Sequence, residues 1–361
     1  MPNAEVSLRS QLLDQLSQFE PGSPLPTREE LAEKFNTSRS TIDKVMRSLA
    51  LEGLITTGSG RRRTVVRRDQ RTIKTVVVAR YTADVLDDAR DWYFGLLTLG
   101  IFDACERVGV EARVRRREYY GYPEMVEETQ AQGLIVIRPY VDDLPALIQM
   151  QQRGVPVVLV GADPSVHHLD DVVSDFPAGM TQLIDHLVGL GHRDIGCVVL
   201  LSGHPDGRMR LAAFRDACMT HNLEIPYRRV CDAHVPADKQ TGEPFAEYQQ
   251  RVDQWLDEQG DILPTAIVAG ELATARALLA GLAARNKQVP SDISLAHFDD
   301  RDNERLMPPM TLIQQDPRRL GITAVERLIR RVREDLPPEI IRVPTYLRIQ
   351  SSTAGPSSPQ R

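Results

Sequence analysis

Residues Leu25–Val66 read LPTREELAEKFNTSRSTIDKVMRSLALEGLITTGSGRRRTVV. Just before Thr27, PGSPLP breaks any preceding helix. Thr27, followed three residues later by Glu30, is a capping-box pattern that opens a helix with Leu31, Ala32 and Phe35 on its apolar face. Asn36 can end that helix, because Asn tolerates the left-handed conformation. From about Arg39 to Glu52, Ile42, Val45, Met46 and Leu49 fall at i, i+3, i+4 and i+7, which predicts one buried helical stripe. Arg39, Ser40, Asp43, Lys44 and Arg47 occupy the opposite face. Gly53 closes the helix, and the runs LITT and RTVV around Gly58-Ser59-Gly60 predict a hairpin with basic flanks. Upstream, Leu8, Leu12, Leu13, Leu16 and Phe19 predict an amphipathic helix over 6–19.

Three short helices and a basic hairpin make a winged helix-turn-helix. A helix that reads DNA must bury one stripe and offer short polar and cationic groups to base edges and phosphates. A glycine-tipped wing brings backbone close to the sugar-phosphate surface. The stretch resembles the GntR-type winged helix over its whole length, with P-x-x-x-E-L-A, S-R-x-T and L-x-x-x-G-L-I in register. The resemblance implies DNA contacts from Thr27, Arg28, Ser38, Arg39, Ser40, Thr41, Lys44, Ser59, Gly60 and Arg61. Two places depart from the pattern. Glu29 stands where the family often has Arg, with Arg28 one position earlier; Asp43 stands at a second usual cation, followed by Lys44. Asp43 either accepts from a cytosine amino group or faces solvent.

Beyond about Ile73 the pattern changes to KTVVVAR, QGLIVIRP, VPVVLVG, DIGCVVLL, TAIVAG and ISLAHFDD, with amphipathic helices near 94–108, 144–153, 178–190, 209–221, 246–258 and 272–285. Such alternation predicts parallel sheets with right-handed crossovers, which bind ligands at the carboxyl ends of their strands. This region resembles the LacI/GalR effector domain, with QGLIVI, RGVPVVLVG, HLVGLGHRDIGCV, RMRLAAFRDAC, VPSDISLAHFDD and MPPMTLIQQDPRRLG in order. The resemblance implies a two-lobed, periplasmic-binding-protein-like clamshell of Rossmann-like parallel sheets, crossed by three strands, with ligand between the lobes. The fold class is therefore α/β, with a small winged helix-turn-helix in front: 1–68 reader, 69–73 linker, 74–352 ligand-binding domain and 353–361 disordered tail. A GntR-type reader on a LacI-type sensor resembles the arabinose-repressor architecture.

By the same resemblance the ligand is met by Asp91, Trp92, Tyr93, Asp175, Arg210, Glu271, Asp299 and Gln315. Carboxylates and a guanidinium suit vicinal hydroxyls, and an aromatic face suits the apolar side of a sugar ring. Trp92 and Tyr93 either stack on ligand or anchor the core, and Asp175 either faces ligand or caps a helix. Gly270-Glu271 replaces the family's usual Asn-Asp, and the loop YTADVLDDARD is long enough to form a lip.

Composition is consistent with this reading. A chain of 361 residues at net charge −6 splits unevenly: residues 1–71 carry twelve Lys and Arg against nine Asp and Glu, and the remainder 32 against 41. That asymmetry suits an appended DNA-binding module. No run approaches the ~20 apolar residues of a membrane helix, and the N-terminus lacks a secretory pattern, so a cytoplasmic protein is expected. Cys105, Cys197, Cys218 and Cys231 form no C-x-x-C pair and are expected as reduced core residues. Scattered histidines, a short GSG and no G-x-S-x-G exclude an obvious metal, phosphate-loop or nucleophile site, so no metal, cofactor or catalytic residue is expected. The expectation is a homodimeric repressor that binds palindromic operator DNA and a carbohydrate effector, and no membrane. A sugar-binding receptor without a regulatory role, cytoplasmic or exported, and a carbohydrate-acting enzyme are the alternatives.

Overall fold

A computed structural model of the chain describes residues 8–9, 11–12, 19, 23–51, 55–57, 64–66, 73–80, 92–117, 120–201, 205–235, 244–260, 262–298, 306–334 and 336–357. The N-terminal module holds α1 (Arg28–Lys34), α2 (Arg39–Leu51) and the antiparallel pair β1 (Ile55–Thr57) and β2 (Thr64–Val66), in register Ile55↔Val66. The expected caps form. Thr27 N–H donates to Glu30 Oε2 at 2.7 Å, and Glu30 N–H donates back to Thr27 Oγ1. Asn36 leaves α1 at φ +47°. Ile42, Val45, Met46 and Leu49 close on Leu31, Leu8, Leu12 and Ile55 in one small core. Leu13 and Leu16 of the expected first helix lie outside the described residues.

The rest of the chain builds two six-stranded sheets. The strands of lobe 1 are β3 (Thr75–Arg80), β4 (Glu111–Arg116), β5 (Gly133–Ile137), β6 (Val157–Val160), β7 (Asp170–Ser174) and β13 (Ile340–Val343). They are ordered β13-β7-β6-β5-β3-β4 and are parallel throughout. The strands of lobe 2 are β8 (Ile195–Val199), β9 (Val230–Asp232), β10 (Ala266–Ala269), β11 (Ser294–Phe298), β12 (Thr311–Gln314) and β14 (Tyr346–Arg348). Their order is β14-β12-β11-β10-β8-β9, with only β14 antiparallel. The crossover helices are α3 (Trp92–Arg107), α4 (Tyr122–Thr129), α5 (Leu144–Gln152), α6 (Phe176–Gly189), α7 (Asp206–Thr220), α8 (Pro244–Gln259), α9 (Leu272–Ala284) and α10 (Pro317–Glu334).

The chain passes between the lobes three times, as the resemblance implied: after β7, after β12 and after β13. As a result α6 packs into the lobe 2 core through Phe176, Met180 and Leu183, and α10 packs into the lobe 1 core through Leu320, Ala324 and Leu328. Helices α3 and α10 touch backbone to backbone. A Cβ on Gly100 would lie 2.1 Å from Arg318 O, and one on Gly321 would lie 2.1 Å from Leu97 O. The crossings are laced together, because Asp175 N–H donates to Val343 O (2.8 Å), Thr345 Oγ1 to Asp175 O (3.0 Å) and Ser174 Oγ to Gln315 Oε1 (2.7 Å).

Two expected boundaries move. Ile73, placed in the linker, is buried in the lobe 1 core. The tail expected to be disordered from 353 is held through 357, and residues 358–361 lie outside the described residues. Ser352 is buried, its carbonyl accepting from Leu295 N–H (2.9 Å) and its Oγ from Thr311 N–H (2.8 Å). The Ala354 carbonyl meets His192 Nε2 (2.8 Å) and Ser294 Oγ (2.9 Å). Backbone groups at the lower edge of lobe 2 need partners, and this small polar segment supplies them.

Candidate functional site

Parallel strands deliver their carboxyl ends to the cleft between the lobes. Arg80 ends β3, Arg138 follows β5, Gly270 and Glu271 follow β10, and Phe298 ends β11. Arg210, on the second turn of α7, is the centre of the lobe 2 side. Its guanidinium is buried against two rings, with Cζ 5.2 Å from the Phe176 centroid and 5.1 Å from that of Phe298. Those rings meet edge to face at 5.2 Å. Arg210 Nη1 donates to Gly270 O (2.8 Å) and Glu271 Oε1 (3.2 Å). The edge-to-face pair gives the cation an aromatic wall, and these bonds fix its orientation.

One turn earlier, Asp206 Oδ2 lies 3.9 Å from Arg210 Nη2 and 3.1 Å from Arg138 Nη2. Arg138 belongs to lobe 1, so this ion pair bridges the cleft. Arg138 takes φ +47°, which costs a non-glycine residue energy, and its Cζ lies 5.5 Å from the Phe94 ring centroid. The Glu271 carboxyl is pushed up to about 7, chiefly by burial and further by Asp206, against the pull of Arg210 and Arg138. In the cleft, the buried atoms Arg210 Nε, Glu271 Oε2 and Gln315 Nε2 find no hydrogen-bond partner among the described residues. A buried donor or acceptor left open in a cleft is a place for a ligand or a water.

The structure thus brings Arg210 and Glu271 together and sets Gln315 at the second crossing. Asp175 caps α6, its Oδ1 accepting from Ala178 N–H at 3.2 Å, as one of its two expected roles. Half-buried Tyr93 packs on the lobe 1 core and meets Phe94 edge to face at 5.4 Å, the anchoring role. Trp92 opens α3, but its side chain lies outside the described residues, as do Asp91 and Asp299. Arg138, Asp206, Phe176 and Phe298 are the site residues that sequence reasoning missed. Asp206 carried a usable signal, lying one helical turn before Arg210.

At the reader, Thr27, Arg28, Ser38, Arg39, Ser40 and Lys44 are exposed and Thr41 half-buried, on the opening turns of α1 and α2. Ser38 Oγ accepts from Thr41 N–H (3.2 Å) and lies 2.8 Å from both Ser40 Oγ and Thr41 Oγ1. Ser59, Gly60 and Arg61 lie outside the described residues. Among the described residues no group of three or more His, Cys, Asp or Glu could hold a metal ion, and no helix is long and apolar enough to cross a membrane. All four cysteines are buried and free, and burial lifts the thiols of Cys105 to about 11 and of Cys218 and Cys231 to about 12.

Comparison with known families matches residues 5–66 to "Bacterial regulatory proteins, gntR family" and residues 184–353 to "Periplasmic binding protein-like domain". Among curated relatives, the HTH-type transcriptional repressor PurR of Photobacterium profundum is 28% identical over 225 residues, 61% of this chain and 63% of that protein. Among solved structures, a transcriptional regulator CelR–cellobiose complex superposes at TM-score 0.65 and 20% identity, covering 91% of this chain and 100% of that one. The lac repressor dimer bound to operator and the anti-inducer ONPF superposes at 0.64 and 22% identity, covering 78% and 95%. At those identities the likeness carries the fold. The two matched domains define the class, a bacterial regulatory domain joined to a periplasmic-binding-protein-like one. Over residues 5–66 the chain is of gntR type, and over residues 184–353 it is of periplasmic-binding-protein type.

Proposed function

We propose that this chain is a ligand-responsive, DNA-binding transcriptional repressor whose hold on its operator is set by a sugar or sugar derivative bound between the two lobes. The observation that carries the reading is the set of three open polar atoms in the cleft, on the same chain as an exposed helix-turn-helix. Arg210 Nε and Gln315 Nε2 ask for acceptors, and Glu271 Oε2 has a lone pair to fill; vicinal hydroxyls supply both kinds. The relatives support the class: PurR is named a repressor, CelR was solved with cellobiose and the lac repressor with operator. Two copies would read a palindrome, and ligand would alter their spacing through its differential affinity for open and closed lobes. The protein acts in the cytoplasm and turns over no substrate.

The test begins with duplexes selected from a random library by the full-length protein. Operator affinity is then followed by fluorescence anisotropy, and a sugar panel is screened by thermal shift. At least one sugar should raise the melting temperature and change operator affinity in the same concentration range. Arg39→Ala should abolish operator binding and leave the thermal shift intact. A protein that selects no duplex refutes the reading, as does one whose operator affinity ignores every sugar that stabilises it.

A further inference from the structure

Four charged side chains on the reading face are paired crosswise. Arg28 Nε of α1 lies 2.7 Å from Asp43 Oδ1 of α2, and Arg39 Nη1 of α2 lies 2.7 Å from Glu29 Oε1 of α1. Each helix contributes one cation and one anion. The Arg39–Glu29 pair is solvent-exposed, each side chain over 60% (62% and 61%), and such a pair contributes little to stability; the Arg28–Asp43 pair is part-exposed (44% and 27%). Helix capping does not require them, because Glu30 closes the α1 box and Ser38 caps α2. The apolar contacts of Leu31, Ile42, Val45 and Met46 already hold the helices together. What the pairs do set is the charge and orientation of the surface.

We propose that Glu29 and Asp43 are specificity-determining residues of the operator-reading face, an inference that rests on the DNA-binding reading above. An unpaired arginine binds any phosphate, regardless of sequence. A guanidinium has five donors in one plane, so anchoring Arg39 through Nη1 leaves further N–H groups directed together, the arrangement that reads guanine O6 and N7. Asp43, its Oδ1 buried at ion-pair distance from Arg28, keeps Oδ2 for a cytosine amino group. Each internally compensated cation also gives up part of its counterion release. The crossed pairs therefore exchange general affinity for discrimination between sequences.

The experiment compares the full-length protein with Glu29→Gln, Asp43→Asn and, as control, Glu33→Gln, an exposed α1 acid outside both pairs. Binding to a selected operator and to random-sequence duplex is measured across a salt series. Glu29→Gln and Asp43→Asn should each bind random duplex more tightly, with a log–log salt slope steeper by about 0.9. Their operator-to-random affinity ratio should fall by about tenfold, the size of one lost base contact, with Asp43→Asn relaxing the preference at a single base pair. Melting temperatures should not change, and Glu33→Gln should show none of these effects. Slopes and ratios that stay at the wild-type value, or move no further than in Glu33→Gln, overturn the proposal, as does a loss of binding accompanied by a lowered melting temperature. A wild-type protein that binds no duplex at any salt overturns the DNA-binding reading as well, and is recognised before any variant is compared.

Discussion

Replacing Arg210 with methionine removes the guanidinium from beside Phe176 and Phe298 and keeps a side chain able to pack on the rings. The cost should depend on pH, because the partner Glu271 titrates near 7 instead of 4.5. An acid whose folded value lies above its unfolded value favours the folded chain while protonated. Its contribution is complete below about 4.5 and is lost as pH rises to about 7, a swing on the order of 3 kcal/mol. Arg210 is one of the groups holding that value down, so in Arg210→Met the Glu271 carboxyl moves higher and the loss continues above neutrality. At about pH 6 the carboxyl is neutral in both proteins, and the variant loses mainly the Gly270 O bond and the ring contacts, about 1–2 kcal/mol. At about pH 9 the variant must also bury an uncompensated carboxylate or keep its proton at a cost, and the gap should widen to about 3–5 kcal/mol. Urea denaturation at the two pH values reads both gaps. Adding Glu271→Gln to Arg210→Met should erase the difference between them. A gap that is the same at both values would show that Glu271 is not the electrostatic partner of Arg210.

Three other perturbations test separate parts of the molecule. Arg138→Ala or Asp206→Asn should loosen the ligand-free lobes, seen as a larger radius of gyration in solution scattering; a double-mutant cycle should return about 1–2 kcal/mol of coupling, and additivity would deny the bridge. Arg327 donates to buried Asp170 (2.5 Å) and to Glu339 (3.0 Å), so Arg327→Met should destabilise the chain by about 3–5 kcal/mol in denaturant. Ending the chain at Ser351 strips the acceptors from Leu295 N–H and Thr311 N–H and should cost about 3 kcal/mol in urea denaturation.

Strands β3, β5, β6, β8, β10 and β11 were legible because their residues are apolar on both faces, as a parallel sheet covered by helices requires. Two of the strands that escaped notice break that rule for identifiable reasons. β4 reads EARVRR at a sheet edge, where charge is tolerated. β7 opens with two buried aspartates, Asp170 satisfied by Arg327 and Arg331, and Asp171 set beside His167, and those partners are remote or unremarkable in sequence. In the site, Arg210 and Glu271 were accessible through the resemblance to the LacI/GalR effector domain, Arg210 in RMRLAAFRDAC and Glu271 just after TAIVAG. Arg138 was not, because its role needs the left-handed backbone after β5 and a partner in the other lobe. Glu29 and Asp43 looked like two independent losses of cations. Only the crossing of α1 and α2 reveals that each acid faces an arginine of the opposite helix.

The route of the chain between the lobes has a consequence for how the protein comes into being. Lobe 1 begins at residue 73, yet its core is incomplete until α10 and β13 have been made, near residue 343. The helix-turn-helix needs nothing beyond residue 66 for its own small core. During synthesis the reader is therefore complete some 270 residues before the cleft that governs it can close. A chain interrupted anywhere in that interval carries a folded reader attached to an unfinished sensor, which no effector can switch.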